Sequence, residues 1–320
     1  MEKESRQTVP NVLQRLAHLL GTEVKNGRLE IPKKFGKGYC AGFVFNEHIR
    51  MFIFNYELNE DMFLKNPDVD ANKRMILFKF HNIIPETGTL STGKQLTAIS
   101  SVLIATCSMN PDIAIPVDTN HAAINIEVDA DYLNGLFDLS EKSPVLQSLL
   151  QNTQPLLFEQ MIHPSLQKIV NEIITEPVDE TFALFFLRIK AEELICRLLM
   201  ELEKRDEKHL YALNIHDIQA VYRVKEQMLE HPETPPVINE LAVCASMSPS
   251  KLKRVFRQIF GNSIFRYYQA FRMKEAARLL KEEKRSVSEA GYRLGFTNLS
   301  HFSRVFHEHF GMKPKQYSRS

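Results

Sequence analysis

The sequence predicts a multidomain α+β chain: a β-rich front, a helical middle, and an all-α back built from two helix-turn-helix modules. Three observations carry this. The hydrophobic period changes from two residues to helical spacing near Ser140. The last third contains an internal duplication. The charge is also divided: residues 1–214 hold 22 Lys+Arg against 29 Asp+Glu, net −7, and residues 215–320 hold 18 against 10, net +8. The total of +1 thus conceals an acidic front and a basic back, an asymmetry that points the back toward a polyanion.

A length of 320 residues suits two domains, and 44% hydrophobic with 25% charged residues excludes collagen-like, low-complexity and wholly disordered classes. No apolar run approaches the roughly 18–20 residues that span a bilayer. The charged start, Met1 to Arg6, is followed by no apolar h-region. The expectation is a cytoplasmic protein without membrane span or secretory signal. Cys40, Cys107, Cys196 and Cys244 form no C-x-x-C pair and read as reduced, mostly buried thiols.

A short amphipathic segment, Val12 to Leu20, is closed by Gly21. Residues 22–130 then read as β. Alternation is visible in Phe43-Val44-Phe45 and from Phe52 to Tyr56, with further apolar runs at Met75–Phe80, Val102–Cys107 and Ala122–Val128. Many short strands between turn residues predict a sandwich or small barrel. The alternation Phe43/Phe45 and Phe52/Phe54/Tyr56 puts one face of two strands inside, as sandwich core or as the wall of an apolar ligand pocket. His48, His81 and His121 lie in this region but offer no His-x-His pair and no Glu at the usual later spacing. No metal or cofactor is therefore assigned, and His81 reads as a surface or loop residue.

Beyond Ser140, Ser165–Ile174 and Thr181–Arg205 place apolar residues at helical spacing, with Glu176-Pro177 between them. In the second helix Phe182, Phe185, Phe186, Ile189, Ile195, Leu198, Leu199 and Leu202 form one stripe. It can pack on the β domain, on a second chain, or on both, and a homodimer through residues 181–205 is the expectation. Residues 206–214 are polar enough for a linker, which gives boundaries at 1–140, 141–205, 206–214 and 215–320.

The duplication lies in the basic third. Arg254-Val255-Phe256 recurs as Arg304-Val305-Phe306, Phe260-Gly261 as Phe310-Gly311, and Tyr267 as Tyr317, all at a spacing of 50. Upstream the spacing is 49, from Glu240 to Glu289. Each copy reads as helix, tight turn, helix: Val237–Cys244 then a helix from Ser248 to Phe260, and Val287–Leu294 then, after Gly295 and the N-cap type Thr297, a helix to Phe310. A second helix of this kind enters the DNA major groove. Its apolar stripes leave Ser250, Lys253, Arg254 and Arg257 projecting in the first copy. In the second, Asn298, Ser300, His301, Ser303, Arg304 and His307 project. Arg and Lys reach guanine edges or phosphates, and Asn and Ser bond base edges or backbone. The helix Ile264–Glu283 between the copies would fix their separation, so that both enter successive major grooves about 34 Å apart.

From Ile238 to Tyr317 the chain resembles the DNA-binding domain of the AraC/XylS family of bacterial transcription regulators. The matching residues include Glu240-Leu241-Ala242, Met247-Ser248, Arg254, Phe260-Gly261, Arg272, Gly295-Phe296, Phe302-Ser303, Phe310-Gly311, Pro314 and Tyr317. The resemblance covers a third of the chain. It implies that Ser250, Lys253, Arg254, Ser300, His301 and Arg304 face DNA. It also implies a cupin-like effector-binding domain in front, with helices that dimerise. The front half is most similar in composition and order to siderophore-responsive members. One departure is Ala290-Gly291, where the family usually has a bulky aliphatic followed by Ala. Gly costs about 1 kcal/mol inside a helix, so a softer support helix is expected there.

The expected partners are a double-stranded DNA operator, a small-molecule effector and a second copy, with RNA polymerase as a further contact. An enzyme is not expected: residues 22–130 hold no G-x-S-x-G elbow, phosphate loop or ligand cluster. Two rivals stay open: a cupin-type enzyme fused to a DNA-binding tail, and an architectural DNA-binding protein without effector.

Overall fold

The computed structural model describes residues 9–59, 74–81, 83, 100–106, 121–137, 142–207 and 209–319. They divide into two compact units between Ala212 and Leu213.

In the front unit, α1 (Asn11–Leu20) stops at Gly21, whose left-handed φ of 61° ends the helix as anticipated. Strands β1 (Arg28–Glu30), β2 (Gly36–Val44), β3 (Ile49–Leu58), β4 (Met75–His81), β5 (Ser101–Thr106), β6 (His121–Asp129) and β7 (Leu157–Met161) form one antiparallel sheet in the order β1-β2-β3-β6-β4-β5-β7. Helices α2 (Ala130–Leu136), α3 (Pro144–Gln151), α4 (Pro164–Thr175) and α5 (Glu180–Glu203) complete the unit. Phe43, Met51, Ile126, Phe78, Ile104 and Phe158 stand opposite one another across six strands. That row packs with Leu149, Ile169, Leu194 and Leu198 from the helices into the main core. On the reverse face α1 seals the β1–β3 end, where Leu13, Ala17 and Leu20 meet Leu29, Cys40 and Tyr56.

Four expectations are corrected here. The stretch 141–205 is not a helical segment apart from the sheet: β7 pairs with β5, and α3–α5 cover the core face. The aromatic alternation does not share one face, because Phe43 stands opposite Met51 in the main core while Phe52, Phe54 and Tyr56 occupy the other side. The apolar stripe of the long helix is two stripes. Ala191, Leu194, Ile195, Leu198 and Leu202 are buried, and Phe182, Phe185, Ile189 and Met200 are exposed on the opposite side. Of the described cysteines only Cys40 is buried; Cys196 and Cys244 are exposed, and Cys107 lies outside the described residues. His81 is the last residue of β4 and is half-buried. It stands opposite Ala123, near the start of β6, whereas His48 precedes the pair Ile49–Val128 at the far end and stacks on Tyr132 at 4.7 Å. The two histidines are therefore kept apart, and the side chain of His121 lies outside the described residues.

The second unit is all-α: α6 (Ile215–Glu230), α7 (Ile238–Cys244), α8 (Pro249–Phe260), α9 (Ile264–Lys281), α10 (Val287–Arg293), α11 (Leu299–Phe310) and α12 (Pro314–Tyr317). No helix among the described residues is long and apolar enough to cross a membrane.

The reverse face of the sheet holds a buried charge. Lys79 on β4 is only 8% exposed, and burial pushes its amine from 10.5 down to about 8. A lysine whose folded pKa lies below its unfolded value destabilises the fold at full strength below the folded pKa. Between the two pKa values the unfolded chain binds more protons, so stability rises with pH and the penalty vanishes above about 10.5. A shift of this size is worth on the order of 3 kcal/mol. Lys79→Met is expected to raise the thermal midpoint at pH 7, with the gain over wild type shrinking between pH 8 and 10.5 in circular-dichroism melts.

Candidate nucleic-acid interface

The two modules repeat each other at the level of single hydrogen bonds. In the first turn Ser246 N donates to Val243 O and Met247 N to Ala242 O; in the second Gly295 N donates to Tyr292 O and Phe296 N to Gly291 O. The left-handed residue is Ser246 (φ 52°) in one and Gly295 (φ 74°) in the other. Phe256, Phe260 and Tyr267 form an aromatic triad with centroids 4.5–5.6 Å apart. Phe306, Phe310 and Tyr317 form its counterpart at 4.7–5.4 Å. Both second helices end on a left-handed glycine, Gly261 and Gly311.

Side-chain caps set where each helix starts. Ser248 Oγ accepts from Lys251 N at the head of α8, and Ser286 and Glu289 form a reciprocal capping box on α10. At α11 the cap is Asn298, one residue later than the Thr297 expected: its Oδ1 accepts from Ser300 N at 2.9 Å and His301 N at 3.1 Å.

Helix α9 joins the modules. Tyr267 belongs to the first triad, while Met273, Ala276, Leu279 and Leu280 lie in the second core with Phe302 and Phe306. Between these halves Arg272 is buried. Its Nε donates to Leu294 O at 3.0 Å and its Nη2 donates to the same carbonyl, which sits at the end of α10. The guanidinium lies 3.8 Å from the Phe296 ring centroid. One turn earlier on α9, Tyr268 donates to Pro232 O at 2.8 Å. The loop after α6 then meets the second turn directly, because a Cβ on Gly295 would lie 2.1 Å from Glu233 O. Gly291 also has a packing reason: a Cβ there would stand 2.8 Å from Leu299 Cδ2 and 3.2 Å from Phe302 Cδ1. The expected softening of α10 is therefore set against a closer seat on α11.

Outside this framework the helices present two polar faces. Ser250, Lys253, Arg254 and Arg257 are all exposed on α8 at i, i+3, i+4 and i+7, one face of the helix. Leu252, Val255, Phe256 and Ile259 are buried behind them. At the head of α8, Lys251 is turned aside into an ion pair with Asp217 of α6 at 2.8 Å. On α11 Ser300, His301 and Arg304 are exposed, with Phe302 and Phe306 buried. Among the described residues Arg304 has a 4.0 Å pair with Glu308, and both are largely exposed. The His301 ring leans on Phe296 at 5.8 Å. Asn298 is exposed too, but its carbonyl oxygen is committed to the cap.

A shallow open depression of about 580 Å³ follows α11, lined by Leu299, Ser300, Ser303, Arg304, His307 and Lys313. Lys313 comes from beyond Gly311, where no helical periodicity marks it, and sequence reasoning missed it. The faces differ in charge: three cations on α8 stand where α11 has Ser303, Arg304 and His307.

Comparison with known proteins adds the following. A family model described as a helix-turn-helix domain matches residues 241–320. The HTH-type transcriptional regulator GbdR of Pseudomonas aeruginosa is 33% identical over 108 residues, 34% of this chain and 29% of that protein. The HTH-type transcriptional regulator MtrA of Neisseria gonorrhoeae is 26% identical over 175 residues, 53% of this chain and 58% of that one. A solved AraC-type transcriptional regulator from Chromobacterium violaceum is 25% identical, covering 33% of this chain and 95% of that chain at a TM-score of 0.31. The chain thus spans about three tenths of the length of GbdR and under two thirds of MtrA.

The two turns respond differently to a side chain. Gly295→Ala forces a left-handed alanine against a backbone carbonyl, and is expected to cost at least about 2 kcal/mol. Ser246→Gly relieves a strained serine and stays within about 1 kcal/mol of wild type. Urea melts of the two variants check this.

Proposed function

With residues 241–320 an AraC-type helix-turn-helix domain, we propose that the whole chain is a sequence-specific DNA-binding transcription regulator whose front unit senses a small molecule. The observation that carries the DNA reading is the duplicated module. Two capped helices with matching turns and matching aromatic triads each bury one stripe and expose a polar face, in the only part of the chain with a large positive net charge. An ordinary helical bundle needs the buried stripes but not the repetition. Ser250, Lys253, Arg254 and Arg257 on α8, and Ser300, His301 and Arg304 on α11, are the residues assigned to DNA. Asn298 serves through its cap, and Ser303, His307 and Lys313 extend the second face.

The charge difference assigns roles. With three cations, α8 supplies most of the phosphate contacts, and α11, with one arginine among Ser and His, reads base edges. Bound effector acts by favouring one of two states that differ in DNA affinity or in contact with RNA polymerase. The front sheet, cupin-like by the resemblance, is the effector domain. The second stripe of α5 pairs two copies, since Phe182, Phe185, Ile189 and Met200 form an exposed apolar line opposite the face that covers the sheet.

Two outcomes follow. Affinity for duplex DNA falls steeply with salt, and replacing Lys253, Arg254 and Arg257 together by Ala flattens the log–log slope by up to about 2.7. Arg304→Ala instead costs about 1–3 kcal/mol on the cognate site with little change on random duplex. Equal loss on all sequences would make Arg304 a phosphate contact, and a salt-independent wild type would remove the DNA assignment. For the dimer, Phe185→Glu is expected to convert the species seen by sedimentation velocity from dimer to monomer with the fold intact by circular dichroism.

A further inference from the structure

On the reverse face of the sheet, Gly42, Phe52, Asn125, Lys79, Leu103 and Glu159 stand opposite one another across β2, β3, β6, β4, β5 and β7. Each is next in sequence to a residue of the apolar core row, so this row faces the other way. Phe52, Asn125, Lys79 and Glu159 are nevertheless all buried. Directly opposed residues on neighbouring strands carry their side chains on one face about 5 Å apart, which makes Lys79 and Asn125 immediate neighbours. Among the described residues neither has its polar partner. Asn125 Oδ1 is a buried acceptor without a donor. Lys79 feels burial and no opposing carboxylate. Glu127, diagonal to it, is bonded to Arg50, and Glu159 lies one strand further away, beyond Leu103.

Lysine is almost never fully buried unless paired. An unpaired ammonium and an orphaned carbonyl are each costly in such a setting. The strand could carry an aliphatic residue at 79, as it does at Ile76 and Leu77. Both uncompensated groups sit side by side, one a cationic donor and one a neutral acceptor, with an aromatic and an aliphatic side chain flanking them.

We propose that this row binds a small hydroxy acid. Its carboxylate accepts from Lys79 Nζ, its hydroxyl donates to Asn125 Oδ1, and its apolar body lies against Phe52 and Leu103. An amino acid fits less well, because its ammonium at Asn125 would stand about 5 Å from the Lys79 cation. With its pKa near 8 the amine is charged at pH 7, and an anion in contact would lift that value again. The proposal deepens the reading of the front unit as a sensor and rests on it.

The test uses the full chain at pH 7 and follows its thermal midpoint by circular dichroism. The probes are lactate, malate, mandelate, salicylate and 3-hydroxydecanoate, each beside its acid without the hydroxyl, its amide, and the matching amino acid. At least one hydroxy acid is expected to raise the midpoint by several degrees, more than its counterparts do. Lys79→Met is expected to bind that acid about thirty-fold or more weakly. Asn125→Asp, which gives Lys79 an internal carboxylate of the same shape, is expected to lose the response as well, and it serves if Lys79→Met does not fold. The proposal is overturned if no hydroxy acid shifts the wild type, if both variants respond as the wild type does, or if only amino acids or amides act. Should an acid bind and leave affinity for DNA unchanged, the sensor reading fails while the site stands. Should DNA affinity answer to a neutral compound with the acids inert, the site fails and the sensor reading stands.

Discussion

Arg272 carries its guanidinium into the interior of the basic unit, and the geometry of the two exposed polar faces depends on what it does there. Two of its nitrogens hold the Leu294 carbonyl at the end of α10, and its plane lies on Phe296, the residue after the turn glycine. A buried arginine is costly unless its donors are used; here they satisfy a helix-terminal carbonyl that has no intrahelical partner. The turn is thereby fixed to α9, the helix whose first half belongs to the other module. Tyr268 and the Gly295–Glu233 contact tie the loop after α6 into the same junction. The second turn is thus held both to α9 and to the loop after α6.

That rigidity gives the exposed side chains their meaning. Long basic residues on a surface are ordinary, and singly they need no explanation. What sets Lys253, Arg254, Arg257 and Arg304 apart is that each stands on a helix fixed by a cap at one end, a left-handed glycine at the other, and an aromatic triad behind. Preorganisation of this kind lets a modest number of contacts discriminate between sequences. The front unit follows the opposite principle. One face of its sheet is closed by α2–α5 with apolar residues in register, while the reverse face retains a buried ammonium and an unpaired carbonyl. Such uncompensated groups in an otherwise well-packed sheet mark where an incoming molecule can supply what the chain does not.

Much of the basic unit was legible in the sequence because its information is local. Ser248 and the paired Phe-Gly steps at 260–261 and 310–311 act within a turn or two of themselves, and duplication doubled the second signal. The contacts hidden from the sequence link residues far apart in the chain. Nothing near Gly295 announces Glu233, and nothing near Arg272 announces Leu294. In the front unit the strands were legible as strands but their faces were not. Phe43 and Phe52 look alike until register puts them on opposite sides. Lys79, between Phe78 and Phe80, reads as the solvent side of an alternating strand, and only the pairing with Asn125 places it in a buried row. β7 was missed because five residues between two helical patterns give too short a period to recognise. The long helix α5 looked like one broad stripe because apolar residues on two opposed faces blur the helical period.

We propose that α8 and α11 act together as one rigid reader of duplex DNA. Selection of binding sites from a pool of random duplexes with the full chain tests it most directly. Two recognition helices held by one junction predict a bipartite enriched motif, with its two parts centred about 10–10.5 base pairs apart. A single short motif, parts at freely varying spacing, or no enrichment at all would contradict it.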